Sequence, residues 1–100
     1  MYVRFEAPLA VLEIHAKKLL LQRNAQVPQT TGRLSLDPQP LDQVYAKSLT
    51  ETARRDEAGA LWFDTDKILN GMVWRGEHRS HTPVIVIDKD RAVFYYVLSD

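Results

Sequence analysis

The chain has 100 residues, of which 45% are apolar and 26% charged, and its thirteen basic and thirteen acidic side chains cancel. This is the size of one domain, too apolar for a disordered chain, and it lacks the ~18 uninterrupted apolar residues of a membrane span. The neutral balance argues against a small nucleic-acid binder, which needs a basic excess. The absence of cysteine excludes disulfides, thiolate nucleophiles, thiolate zinc sites and iron–sulfur clusters.

The N-terminus has no basic stretch followed by an apolar one, so no signal peptide is expected and the location read from sequence is cytoplasmic. Tyr2 to Glu6 alternates, with Val3 and Phe5 on one face and Arg4 and Glu6 on the other, as in a short half-buried strand. Pro8 suits a helix start. Leu9 to Ala25 then reads as a helix with two apolar arcs: Leu9, Leu12, Ala16, Leu19 and Leu20 on one side, and Ala10, Ile14 and Leu21 on another. An ordinary surface helix has one stripe, so the second arc predicts contact with something beyond the sheet.

Residues 27–40 hold Pro28, Gly32, Pro38 and Pro40 and read as a Pro-rich connection inside one domain, with a possible edge strand over Arg33 to Asp37. Leu41 to Glu57 is a second helix. Leu41, Val44, Tyr45, Ser48, Leu49 and Thr52 share one face. Pro40 and Asp42 suit its start, Arg54 and Arg55 favour its C-terminal dipole, and Gly59 suits its end. Ala60 to Asp64 looks β-prone. Asn70-Gly71 between apolar residues points to a hairpin over residues 64–74, the competing reading being a short helix at Thr65 to Leu69 followed by a strand.

Val84 to Ile87 and Ala92 to Leu98 are continuous apolar strands, a pattern of sheets covered on both faces. With both helices expected on one face, the other face calls for a second copy of the chain. Ile14, Leu21, Phe94 and Tyr96 are the interface candidates, and a homo-oligomer or another protein is the expected partner. The fold class is therefore α+β: a short N-terminal strand, two amphipathic helices, and an antiparallel sheet of four to five strands in a single domain over residues 1–100.

The loop from Arg75 to His81 gathers two arginines, two histidines and Glu77. Arg75 and Arg79 could hold a phosphate while His78 or His81 acts as acid or base near neutral pH, with Tyr95 or Tyr96 assisting. His78, His81 and Glu77 offer only two or three metal ligands without a nearby completing group, so no metal and no cofactor is expected. A solvated strand connection accounts for the same residues. Asp64-Thr65-Asp66 and Asp88-Lys89-Asp90 read as turn and cap chemistry, since Ile68 stands where a calcium loop would need another oxygen. His15 reads as structural, and Trp62 and Trp74 as core.

The order strand, helix, helix, antiparallel hairpins resembles the small RelE-like ribosome-dependent ribonuclease toxins. That resemblance implies basic and aromatic residues on the strands, a role open to Arg75, Arg79, Arg91, Tyr95 and Tyr96, although those toxins are usually strongly basic and this chain is neutral. No complete catalytic set is present. The function expected from sequence is a non-catalytic protein-interaction or regulatory module, the alternative being an RNA- or phosphate-directed enzyme centred on Arg75, His78, Arg79 and His81.

Overall fold

The structure is a computed structural model that describes residues 1–26, 35, 37–58, 60–75 and 83–98. In chain order it runs β1 (Tyr2–Glu6), α1 (Leu9–Gln26), β2 (Gln39–Pro40), α2 (Gln43–Asp56), a 3-10 turn (Thr65–Lys67), β3 (Gly71–Trp74), β4 (Val84–Asp88) and β5 (Val93–Val97). Among the described residues the strands form one five-stranded sheet in the order β1-β5-β4-β3-β2, with every neighbouring pair antiparallel. The class is α+β. No described helix is long and apolar enough to cross a membrane.

The continuous apolar strands are explained inside the chain. Successive strand residues point to opposite faces. Val84, Val86, Val93, Tyr95 and Val97 enter one core with Leu49 and Ala53 of α2, while Ile85, Ile87 and Phe94 enter a second with Leu12, Ala16 and Leu20 of α1. The helices thus cover opposite faces of the sheet, where sequence reasoning put both on one. Phe94, an interface candidate, lies buried beneath α1 in the second core. Tyr96 is half-buried against that same core. The strands need no second copy to cover them.

The inward face of α1 is the one expected, Leu12, Ala16 and Leu20, with Leu9 and Leu19 at its margins. α2 is rotated from its expected face. It buries Ala46, Leu49, Thr50 and Ala53, and Val44 is exposed. Small residues let the helix lie close to its neighbours, and Thr50 is accepted because its hydroxyl is paired with that of Thr65 at 2.8 Å and takes the backbone N–H of Asp66 at 3.0 Å. Asp42 caps α2, its carboxylate accepting from the Val44 N–H at 3.1 Å.

Two strand expectations fail. Ala60 to Asp64 is a pair of turns, with Ala60 N–H bonded to Glu57 O and Phe63 N–H to Ala60 O. They drop the Phe63 ring into the α2-side core and leave Trp62 half outside. Residues 64–74 form a 3-10 turn followed by a strand, not a hairpin. The Thr65 hydroxyl donates to the Ala46 carbonyl at 2.7 Å and fastens that turn to α2. Gly71 serves close packing there: a Cβ would stand 2.7 Å from the Ile68 Cγ2 and 3.2 Å from the Ile87 carbonyl. The described edge strand on that side is β2 at Gln39–Pro40, beyond the 33–37 expected; residues 33, 34 and 36 lie outside the described set, as does Gly59.

Two cores on opposite faces of one sheet share no packing partners, so damage to them should add. Leu12→Ala should cost about 2–5 kcal/mol and Phe63→Ala about 3–5 kcal/mol. Denaturant unfolding of the double variant should give the sum of the two losses; a clearly smaller sum would mean the faces are energetically coupled.

Candidate functional site

The most concentrated polar chemistry among the described residues is built around Asp64. Its carboxylate accepts from the Tyr95 hydroxyl at 2.6 Å, from Arg91 Nη1 at 3.2 Å and from Arg4 Nε at 3.3 Å. The backbone explains how these residues meet. Arg4 sits at the centre of β1, directly opposite Tyr95 on β5. The β4–β5 turn carries Arg91, whose Nη2 donates to the Tyr95 hydroxyl at 3.0 Å. Asp88 shapes that turn by accepting from the N–H groups of Asp90 and Arg91 at 3.0 and 3.2 Å, and its second carboxylate oxygen takes the Arg91 Nε.

The next residue, Ala92, has φ 55°, in the left-handed region that costs a residue with a Cβ about 1–2 kcal/mol. This turn leaves the Arg91 guanidinium on Asp64 and Tyr95, and lets the Ala92 carbonyl accept from Ala7 N–H at 3.3 Å, just ahead of α1.

The electrostatics follow from these contacts. Burial alone would raise the Asp64 carboxyl, but the hydrogen bonds from Tyr95 and Arg91 and the charges of Arg91 and Arg4 outweigh it and hold the group below the usual carboxylate value. Burial, then the Asp64 carboxylate, push the Tyr95 phenol well above its ordinary value. Neither group changes protonation near neutral pH, so the pair is unsuited to general acid–base work, which needs a pKa close to the operating pH. Asp64, expected as turn chemistry, makes no side-chain cap on the 3-10 turn and is instead a structural anchor.

Of the expected site residues, Tyr95 belongs to this cluster and Arg75 packs on α2 instead. Glu77, His78, Arg79 and His81 lie outside the described residues. Arg75 is described: its guanidinium stacks 4.0 Å above the Tyr45 ring on α2, and its carbonyl accepts from Ser35 N–H. Tyr95 is fully buried, with its hydroxyl already committed to Asp64 and Arg91. His15 is half-buried, edge-on to Phe5 and Phe94 at 5.4 and 5.0 Å. Among the described residues no group of three or more His, Asp or Glu is placed to hold a metal ion.

Of the interface candidates, Ile14 and Leu21 stand out from α1 with 56% and 64% of their surface exposed. A cleft of about 210 Å³ opens on another flank of α1, floored by Leu20, Met72 and Trp74 and rimmed by Glu13 and Lys17.

In comparisons with known proteins, the chain matches no family model, no curated protein and no solved structure.

Two outcomes test the Asp64 cluster. Tyr95→Phe should lose about 1–3 kcal/mol, because a buried carboxylate oxygen loses a donor. The pH profile has a definite sign at each end. Asp64 is lowered in the fold, so its contribution is present above the unfolded carboxylate pKa and disappears as pH falls through the folded value. Tyr2 is pushed up to about 12, by burial first and then by its 2.6 Å hydrogen bond to Asp56. Its contribution is present below pH ~10 and disappears as pH rises from there towards the folded value. Melting temperature should therefore fall at both extremes, and Tyr2→Phe should make the alkaline limb shallower, the raised Tyr95 phenol retaining part of it.

Proposed function

We propose that the chain is a non-catalytic protein-interaction or regulatory module that works in the cytoplasm through contacts made by the outer face of α1. The observation that carries this reading is the pair Ile14 and Leu21, seven residues apart and turned away from a core that α1 already fills with Leu12, Ala16 and Leu20. Residues spaced by seven return to one side of a helix, as in a coiled-coil seam. Val11, exposed and three residues before Ile14, extends the line. Exposed apolar rows of this kind mark contact surfaces more often than they mark chemistry.

The polar network supports the same reading from the other side. Its carboxylate and phenol are held in fixed protonation states by partners within the chain, which suits a rigid scaffold. The phosphate-directed alternative loses Tyr95 as an assisting group and rests on Arg75 and on His78, Arg79 and His81, which lie outside the described residues.

Native mass spectrometry of the protein purified gently from its own source tests the proposal. The wild type should carry an additional protein mass, and Ile14→Lys with Leu21→Lys should remove it without lowering the melting temperature. A foreign protein mass that survives both changes, or a bound phosphate compound in place of a protein, would refute it; a second copy of this chain bound elsewhere would not.

A further inference from the structure

We infer that β1 is a pairing edge and that its partner is a second copy of this chain, joined strand to strand about Arg4. This rests on the interaction-module reading above but assigns a different surface.

The backbone parity of β1 follows from its ends. The Met1 ammonium donates to Leu98 O at 2.6 Å, Leu98 N–H donates back to Met1 O at 2.9 Å, and Ala7 N–H donates to Ala92 O at 3.3 Å. Residues 1, 3, 5 and 7 therefore turn their backbone groups towards β5. Alternation then sends the N–H and C=O of Tyr2, Arg4 and Glu6 to the opposite edge, where β1 has no neighbouring strand among the described residues. Such a row is a template for another strand.

The pattern suits its own copy. A two-fold axis at Arg4 pairs Tyr2 with the second copy's Glu6, and Arg4 with its counterpart, through backbone bonds. On the α1 face the same register sets Val3 against the other copy's Phe5, and the reverse. On the opposite face the two arginines meet, but each is already held by Asp64 of its own chain at 3.3 Å. Each also stands diagonal to the other copy's Glu6, within reach of a long side chain. The directly opposed arginines are like charges, but each is answered within its own chain by Asp64 and by Glu6 at 3.5 Å, and a chain of zero net charge opposes no long-range repulsion to its copy.

Exposed apolar groups flank this edge on both faces. Trp62, 44% exposed, packs on Phe63, which in turn meets the Tyr2 ring edge-on at 5.2 Å, and Leu61 beside it is 70% exposed. Across the sheet, His15 touches Phe5, and Val11, one helical turn earlier on the same row and 50% exposed, lies on that flank. Edge strands usually avoid association through charge or cover. Here the central arginine is neutralised within its own chain, and the flanks are apolar.

Amide hydrogen exchange at low and high micromolar concentration, read beside sedimentation, tests the inference. At low concentration Val3 and Phe5 should be protected and Tyr2, Arg4 and Glu6 not. At high concentration the latter three should gain protection as a dimer forms. Glu6→Pro removes one outward N–H that bonds to no described residue, and relative to Glu6→Ala, which loses the same 3.5 Å contact to Arg4, it should weaken the dimer at least roughly tenfold.

A dimer that survives Glu6→Pro but is lost in Ile14→Lys with Leu21→Lys would overturn the edge and leave the α1 reading standing. A strict monomer at high concentration would overturn the edge outright, whereas the α1 reading would then be decided by whether a foreign protein mass is retained.

Discussion

Three stretches of chain far apart in sequence meet at the carboxylate of Asp64. Arg4 comes from the first strand, Arg91 from the last turn, and Tyr95 from the last strand, at sequence separations of 60, 27 and 31 residues. A buried carboxylate is tolerated only when its lone pairs are filled and its charge is answered. Asp64 meets both conditions, and in doing so it holds the 60–68 segment against the sheet. That segment delivers Phe63 and Ile68 to the core beneath α2. Asp64 fixes this segment to the sheet, while the Thr65 hydroxyl on the Ala46 carbonyl fixes it to α2.

The sheet gains its two-sidedness from simple alternation. β4 is Val-Ile-Val-Ile-Asp, and every residue in it is buried. The valines go to α2 and the isoleucines to α1. Sheets covered on both faces are more often parallel, with helices inserted between strands. Here the same burial is reached by an antiparallel sheet whose two helices both precede its three central strands.

Much of this was legible before the structure. The two helices, the first strand and the last two strands stand close to where periodicity puts them, because long amphipathic patterns dominate local choice. The face of α1 was readable because Leu12, Ala16 and Leu20 recur every fourth residue along one side of the helix. The face of α2 was not, since Ala46, Thr50 and Ala53 carry little hydrophobic signal and Val44 carries a misleading one. Asn70-Gly71 misled for a similar reason: its glycine answers a steric need at Ile68, which no local rule records. The anchor at Asp64 was invisible because its partners are distant in sequence, although the placement of Arg4 on the polar side of β1 was a partial sign. Of the loop from Arg75 to His81, where phosphate chemistry was the alternative to a solvated strand connection, Arg75 is described and residues 76–81 are not.

The pairing of β1 with β5 also bears on how the molecule is made. Tyr2 lies opposite Val97, so the first strand emerges from the ribosome long before the strand it needs. Until residue 97 has been synthesised and released from the exit tunnel, Arg4 has neither Tyr95 nor Arg91 beside it, and the apolar side of β1 has no Phe94 to cover. The nascent chain must therefore wait with its leading strand unpaired, and closure of the sheet becomes an event that follows the end of translation of this region. Because both ends of the sheet leave from one corner, any sequence attached at either side would emerge beside the other.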